Sequence, residues 1–356
     1  MDMGCIRSTI CAVSGYAESH ERFAGKYMSD SRKGAYGADD DVVDYILGIT
    51  FEIWEQRGVH LINEYYSQDC VIYGLDGITH GASEVVDGTW ATLKAFPNRN
   101  LLAEDVIWSG DREHGYYTSH RLSSRATNKG ETVYGPATGK PIRMTNIADC
   151  VIEEGVIVKE WLIRDNMTLA EQLGADPHVV ARDQAAKRND EHAAWLESEH
   201  ARLQGVEQAR DASPQVLPRD DPDAFALRVL SSCWHGDRET FNSTHAPYTA
   251  LHRTPFRHYS GRDAVFDYYQ QLRSVLGNVR LSVDHVASQP FSSNGSDIAV
   301  RWTVSGTHEG DMMGVAPTGK AILILGVTHW HCIADHIAIE TTIFDDLAVL
   351  SQAYSP

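Results

Sequence analysis

Glu160, His120 and Asn146 combine the side-chain types and spacing that proton transfer needs. Each lies in a run that alternates apolar and polar residues, as strands do, so residues two apart share a face. Asn146, Ala148 and Cys150 share one face of their strand, as 160 and 162 share one face of theirs. Burial raises the pKa of a carboxyl group toward neutrality, and a glutamate beside a histidine in an apolar cup is a general acid/base pair. An amide such as Asn146 would polarise a carbonyl or hydroxyl. Tyr73 and His80 are expected at the rim of the same pocket as ligand contacts.

The second half of the chain is rich in histidine, at 252, 258, 285, 308, 329, 331 and 336. His329-x-His331 places two imidazoles on one strand face, and with His285 they would suit a metal. The same alternation sends 329 and 331 to the outer face of the sheet, where a polar contact between sheets is the stronger expectation, so no metal site is assigned. There is no G-x-S-x-G, no Walker loop and no G-x-G-x-x-G opening a helix. Gly139-Lys140 and Gly319-Lys320 close turns between strands and are not phosphate loops. No cofactor is expected.

Two copies of one unit must position these residues. A shift of 180 residues lays 226–353 on 46–173 without a gap, with 21 identities in 128 positions. The matches cluster: Thr138-Gly139-Lys140 meets Thr318-Gly319-Lys320, and Glu160-x-x-Ile163-x-Asp165 meets Glu340-x-x-Ile343-x-Asp345. The chain is a tandem duplication. Glu340 thus occupies the place of Glu160 and is a candidate ligand contact in the second pocket. Asp165 and Asp345 follow a strand and precede a helical stretch; the expected role is helix N-cap, with Asp165 kept as a candidate ligand contact. Trp54 and Trp234 are expected to fill equivalent core positions.

Each copy begins with helices and continues with four long alternating strands. That order predicts an α+β fold: two tandem cone-shaped α+β barrel domains, each a curved antiparallel sheet roofed by helices. The cone leaves a cavity for a small molecule. The expected boundaries are a flexible arm over 1–40, a first domain over 41–175, a helical linker with a solvated charged face over 176–219 and a second domain over 220–356.

Composition narrows the partners. With 356 residues, 42% hydrophobic and 22% charged, the chain can bury two ordinary cores. A net charge of −18 argues against nucleic acid or an anionic membrane. No apolar run reaches the roughly 18 residues of a membrane span. A secretory signal is not expected, and six scattered cysteines without C-x-x-C read as reduced thiols, which points to the cytoplasm.

Several motifs carry a family resemblance. Gly261-Arg262-Asp263-Ala264-Val265, Val300-Arg301-Trp302-Thr303 leading to Gly306-Thr307-His308, Pro317-Thr318-Gly319-Lys320 and Glu154-Gly155-Val156-Ile157-Val158-Lys159-Glu160-Trp161 resemble the SnoaL-like polyketide cyclases of the nuclear transport factor two-like superfamily. The resemblance implies the cone and its cavity, dimer-like packing of the sheets through their outer faces, and a pocket entrance near His252 and Arg253. It also implies an acid/base aspartate on the last strand, but this chain has Leu162 and Thr342 there. The family's cavity is therefore expected without its usual catalyst. The expectation is an intramolecular pseudo-dimer, with further homodimerisation left open. Its first pocket would make it a cofactor-independent lyase, isomerase or cyclase-like enzyme. The alternative is a small-ligand-binding or scaffolding protein without chemistry.

Overall fold

The computed structural model describes residues 42–206 and 216–355; the arm expected over 1–40 lies outside the described residues, as does part of the linker. The first copy opens with α1 (Val42–Thr50), which continues as one π-helical turn over Phe51–Glu55. The helix stops there because Arg57 takes a left-handed φ of 64° and Gly58 folds back onto Glu52. A short α2 (Ile62–Tyr65) then leads into β1 (Tyr66–Gly74), β2 (Gly77–His80), α3 (Gly81–Ala95), β3 (Asn100–Asp111), β4 (Gly115–Thr127), β5 (Pro141–Glu153), β6 (Val156–Arg164) and α4 (Asn166–Leu173). After α5 (Pro177–Lys187) and α6 (Asp190–Gly205) comes the second copy. It runs α7 (Pro222–His235), α8 (Arg238–Thr244), β7 (His245–Thr254), β8 (Arg257–Ser260), α9 (Arg262–Val275), β9 (Leu276–Ser292), β10 (Gly295–His308), β11 (Ala321–Ile333), β12 (His336–Phe344) and α10 (Asp346–Tyr354).

The strand orders are β2-β1-β6-β5-β4-β3 and β8-β7-β12-β11-β10-β9, the same topology twice. Each copy is the α+β unit read from the sequence, with six strands in its sheet: the four long ones expected and a further pair before them. Two details differ from that reading. The sheets are open rather than closed barrels. One pair in each, β1 with β6 and β7 with β12, runs parallel, because the long excursion through helix and hairpin returns the chain in its starting direction.

Helix starts follow local chemistry. The side chains of Asp165, Asp221 and Asp345 accept backbone N–H bonds of α4, α7 and α10, satisfying donors that no helical partner reaches.

The outer faces of the two sheets meet. Strands β10 and β11 are buried at almost every position instead of every second one, which a strand needs when both its faces are covered. Across this contact Ser119 Oγ lies 2.8 Å from His329 Nε2, Ser109 Oγ lies 3.0 Å from His285 Nε2, and Gln289 donates to the Trp108 carbonyl at 2.8 Å. The His285 ring stacks on Tyr117 at 3.5 Å, and the Arg301 guanidinium lies 3.4 Å from the Trp161 ring centroid.

In its described residues the linker forms two helices, broken where Asn189 caps α6. It also packs more closely than a solvated connector: Val180 and Ala181 of α5 join Leu347 and Leu350 of α10, and Leu196 and Leu203 of α6 enter the second core. The linker therefore contributes apolar surface to the domain that follows it.

Candidate functional site

The first domain encloses a cavity of about 290 Å³ between its sheet and α1 and α3. Alternation along three adjacent strands sets its polar wall: His120 and Leu122 from β4, Asn146, Ala148 and Cys150 from β5, Glu160, Leu162 and Arg164 from β6. Ile46, Ile49 and Trp54 close the opposite side. Trp54 is thus a half-buried cavity wall, whereas Trp234 is fully buried. The equivalence expected for the two tryptophans holds in sequence and not in packing.

Glu160 is 3% exposed, and its Oε2 accepts the hydroxyl of Tyr66 at 2.9 Å. Burial raises its carboxyl pKa to about 7, against the opposing pull of the Tyr66 hydrogen bond and the Arg164 charge. His120 is held down to about 3, chiefly by burial and then by His329, so its ring is neutral at ordinary pH. Its Nε2 has no hydrogen-bond partner. Asn146 donates to Ser124 Oγ at 3.4 Å while its Oδ1 has none. Buried polar atoms without partners are costly, and here three of them, His120 Nε2, Asn146 Oδ1 and Arg99 Nε, belong to side chains lining one cavity. Chemically, Glu160 can both take and give a proton near pH 7. A neutral imidazole and an amide can hold a substrate oxygen without carrying charge.

The other expected contacts lie elsewhere. Tyr73 is on the face of β1 opposite the cavity-lining Ile72, and stacks between Trp161 and Trp195 at 5.9 and 5.7 Å. His80 bonds Glu191 of α6 at 2.7 Å; pleating and the nearby linker take both residues away from the rim. Asp165 caps α4 through Thr168 N at 3.1 Å. Arg253 is buried, donating to the Thr342 carbonyl at 2.7 Å and to Asp346 at 3.1 Å. His252 lies 2.7 Å from His258, nitrogen to nitrogen, in a groove between the sheets. His329 and His331 have separate partners, Ser119 and Asp297, and His285 lies on Tyr117. Among the described residues no group of three metal-ligating side chains converges.

In the second copy the corresponding space is filled. Trp302 replaces Leu122, Gly326 replaces Asn146, Val300 replaces His120 and Phe344 replaces Arg164. Trp302 is fully buried, its Nε1 bonding Thr328 Oγ1 at 2.9 Å. Glu340 is tied to Tyr269, to Thr342 at 2.7 Å and to His245 at 3.5 Å. Burial alone would raise its carboxyl pKa, but His245, Tyr269 and Thr342 together hold it below the usual range. Both hydrogen bonds reach Oε1, while Oε2 faces His245 without a hydrogen bond; an ionised carboxylate in this filled core has no room to meet a ligand.

Sequence reasoning did not single out Tyr66, Arg99 or Arg164. Arg164 continues the alternation of 160 and 162, so its face was readable. Tyr66 and Arg99 sit where a helix or loop enters a strand, and only the fold brings them to the cavity.

Comparison with known proteins adds the family. The SnoaL-like polyketide cyclase model matches residues 46–173 and again 224–353. No curated protein sequence matches. Among solved structures, IdmH from Streptomyces antibioticus is 26% identical over 38% of this chain and 100% of its own, with a TM-score of 0.33. TsrD from Streptomyces laurentii is 17% identical over 38% and 98%, with a TM-score of 0.34. A SnoaL-like polyketide cyclase from Agrobacterium tumefaciens is 18% identical over 38% and 99%, with a TM-score of 0.32. No described helix is long and apolar enough to cross a membrane. Since the two segments matched by one family model make up well over half of the chain, this protein belongs to the SnoaL-like polyketide cyclase family, of which it carries two tandem copies.

Proposed function

We propose that the first domain is a cofactor-independent lyase, isomerase or cyclase-like enzyme acting on a small carbonyl or hydroxy compound. Glu160 moves the proton, His120 Nε2–H donates to the oxygen on which charge develops, and Asn146 Oδ1 accepts from a substrate hydroxyl. The observation that supports this is the convergence of Glu160 with two unpartnered buried atoms, His120 Nε2 and Asn146 Oδ1, on one cavity. The second domain, with its space filled, supports the first through the sheet contact and does no chemistry.

The family position for the acid/base aspartate is Leu162 here, so the proton carrier has moved two residues along the same strand face to Glu160. That same leucine favours the second reading, a protein that binds a small molecule without converting it. Screening carbonyl and hydroxy compounds for turnover and testing Glu160→Gln on any hit separates the two. Loss of about 10²–10⁴-fold in rate with the fold intact supports the enzyme. Full activity in Glu160→Gln overturns it, and binding without turnover across the screen supports the binder.

A further inference from the structure

Two arginines share the open end of the cavity. Arg164 follows Glu160 and Leu162 on the same face of β6 and is the cross-strand neighbour of Asn146. Arg99 enters from the loop before β3, and its Nε is buried without a partner. Both also line an adjoining chamber of about 480 Å³, so they stand where the two spaces join. Among the described residues neither guanidinium has a carboxylate within ion-pair distance. Glu84 on the same wall is engaged with the backbone N–H of His80 at 2.7 Å, and Asp76 in the adjoining chamber with Asn166 at 3.0 Å. Glu131 also lines that chamber and pairs with neither arginine.

The arrangement is costly as it stands. Burial pushes the Arg99 pKa down to about 10, and the charges of Arg164 and Arg57 add to the effect, with Glu55 opposing. Two adjacent cations without a counterion repel each other, and an anion between them removes that cost. A planar fork of N–H donors suits a carboxylate or a phosphate, and the singly charged carboxylate costs less to bring beside the apolar side chains of this cavity. The second copy shows the converse: where Trp302 fills the space, the equivalent positions are Val279 and Phe344. Both cations are absent from the copy whose cavity is filled.

We propose that Arg99 and Arg164 form an anion subsite, and that the ligand of the first domain is an apolar molecule bearing a carboxylate. The carboxylate sits between the arginines at the open end, and the apolar body extends past Asn146 and His120 toward Glu160. The chemical part of this inference rests on the proton-transfer reading above; the binding part does not.

Calorimetry on the full chain at low salt, with 2-naphthoate, its neutral amide and 2-naphthyl phosphate as probes, tests the subsite without any need for turnover. The acid is expected to bind about tenfold or more tightly than the amide, the scale of a charge-assisted hydrogen bond. Arg99→Gln and Arg164→Gln should each reduce that preference, the double variant should abolish it, and Arg164→Lys should retain part of it. An acid that binds no better than its amide, or a preference that survives in the double variant, overturns the proposal. A phosphate ester bound more tightly than the acid overturns the carboxylate assignment. Glu160→Gln should keep the preference for the acid, so a failure of proton transfer and a failure of the anion subsite are seen separately.

Discussion

Trp302 and Gly326 are cross-strand partners on β10 and β11, and a β-carbon on Gly326 would stand 2.3 Å from Cζ2 of the Trp302 ring. The same register in the first domain pairs Leu122 with Asn146. One large-for-small exchange and its small-for-large complement thus turn a lined cavity into a packed core.

That complementarity predicts non-additive mutations. Gly326→Asn alone should destabilise the protein by about 1–3 kcal/mol or more, because the ring cannot retreat. In a Trp302→Leu background the same asparagine should cost less than it does alone. Chemical denaturation of the four proteins in this cycle measures the coupling; simple additivity would show that the two positions do not share one space.

The two glutamates should behave differently in catalysis. With a substrate in hand, Glu160→Gln should lower kcat/KM by about 10²–10⁴-fold and Glu340→Gln should leave it near the parent value. If Glu160 acts as the base, kcat/KM should climb with pH and level off above about 7, where its carboxyl has ionised. A profile flat from pH 5 to 8 would count against that role.

Stability should depend on pH at both ends. The folded pKa of Glu160, about 7, lies above its ordinary 4.5, so its contribution is fully present below about 4.5 and is lost as pH rises through about 7. His120 has the opposite sign: lowered from 6.5 to about 3, it contributes fully above 6.5 and the contribution is lost as pH falls toward 3. Glu160→Gln should remove its own share of the loss at rising pH, on the order of 3 kcal/mol, leaving that of Asp165, whose carboxyl burial raises to about 6, and should keep the acid limb. Urea unfolding at a series of pH values reads both limbs; an unchanged alkaline slope would refute the raised carboxyl.

The tryptophans offer a third contrast. Trp234→Ala should cost about 3–5 kcal/mol, since the ring is fully buried. Trp54→Ala should cost clearly less and instead weaken binding of any cavity ligand. Equal losses of stability would mean that Trp54 carries the same packing load.

These contrasts mark what the sequence can convey. Repetition at 180 residues and the alternation through 146–150 and 160–162 were legible, because strand phase is a local property of the chain. The same phase reached Arg164. It could not place Tyr73, whose stacking depends on where α6 comes to rest, or Arg99, whose neighbour lies on another strand. Nor could it show that Trp54 borders a void while Trp234 does not, since that depends on residues drawn from three separate strands.

The contact between Ser119 and His329 has a consequence for the history of the gene. Counted on by 180, Ser119 becomes Ala299, and counted back, His329 becomes Asp149, so the exchanged pair would set a methyl group against a carboxylate. The seam between the halves is directional, like a key cut for one lock. Two copies of the first domain alone would set the buried Asp149 carboxylate of one against Ser119 of the other, with Arg121 standing where Arg301 stands in the intact chain. Specialisation at this pair fits each half to the other rather than to its own likeness, while the two cavities behind the seam stay free to diverge.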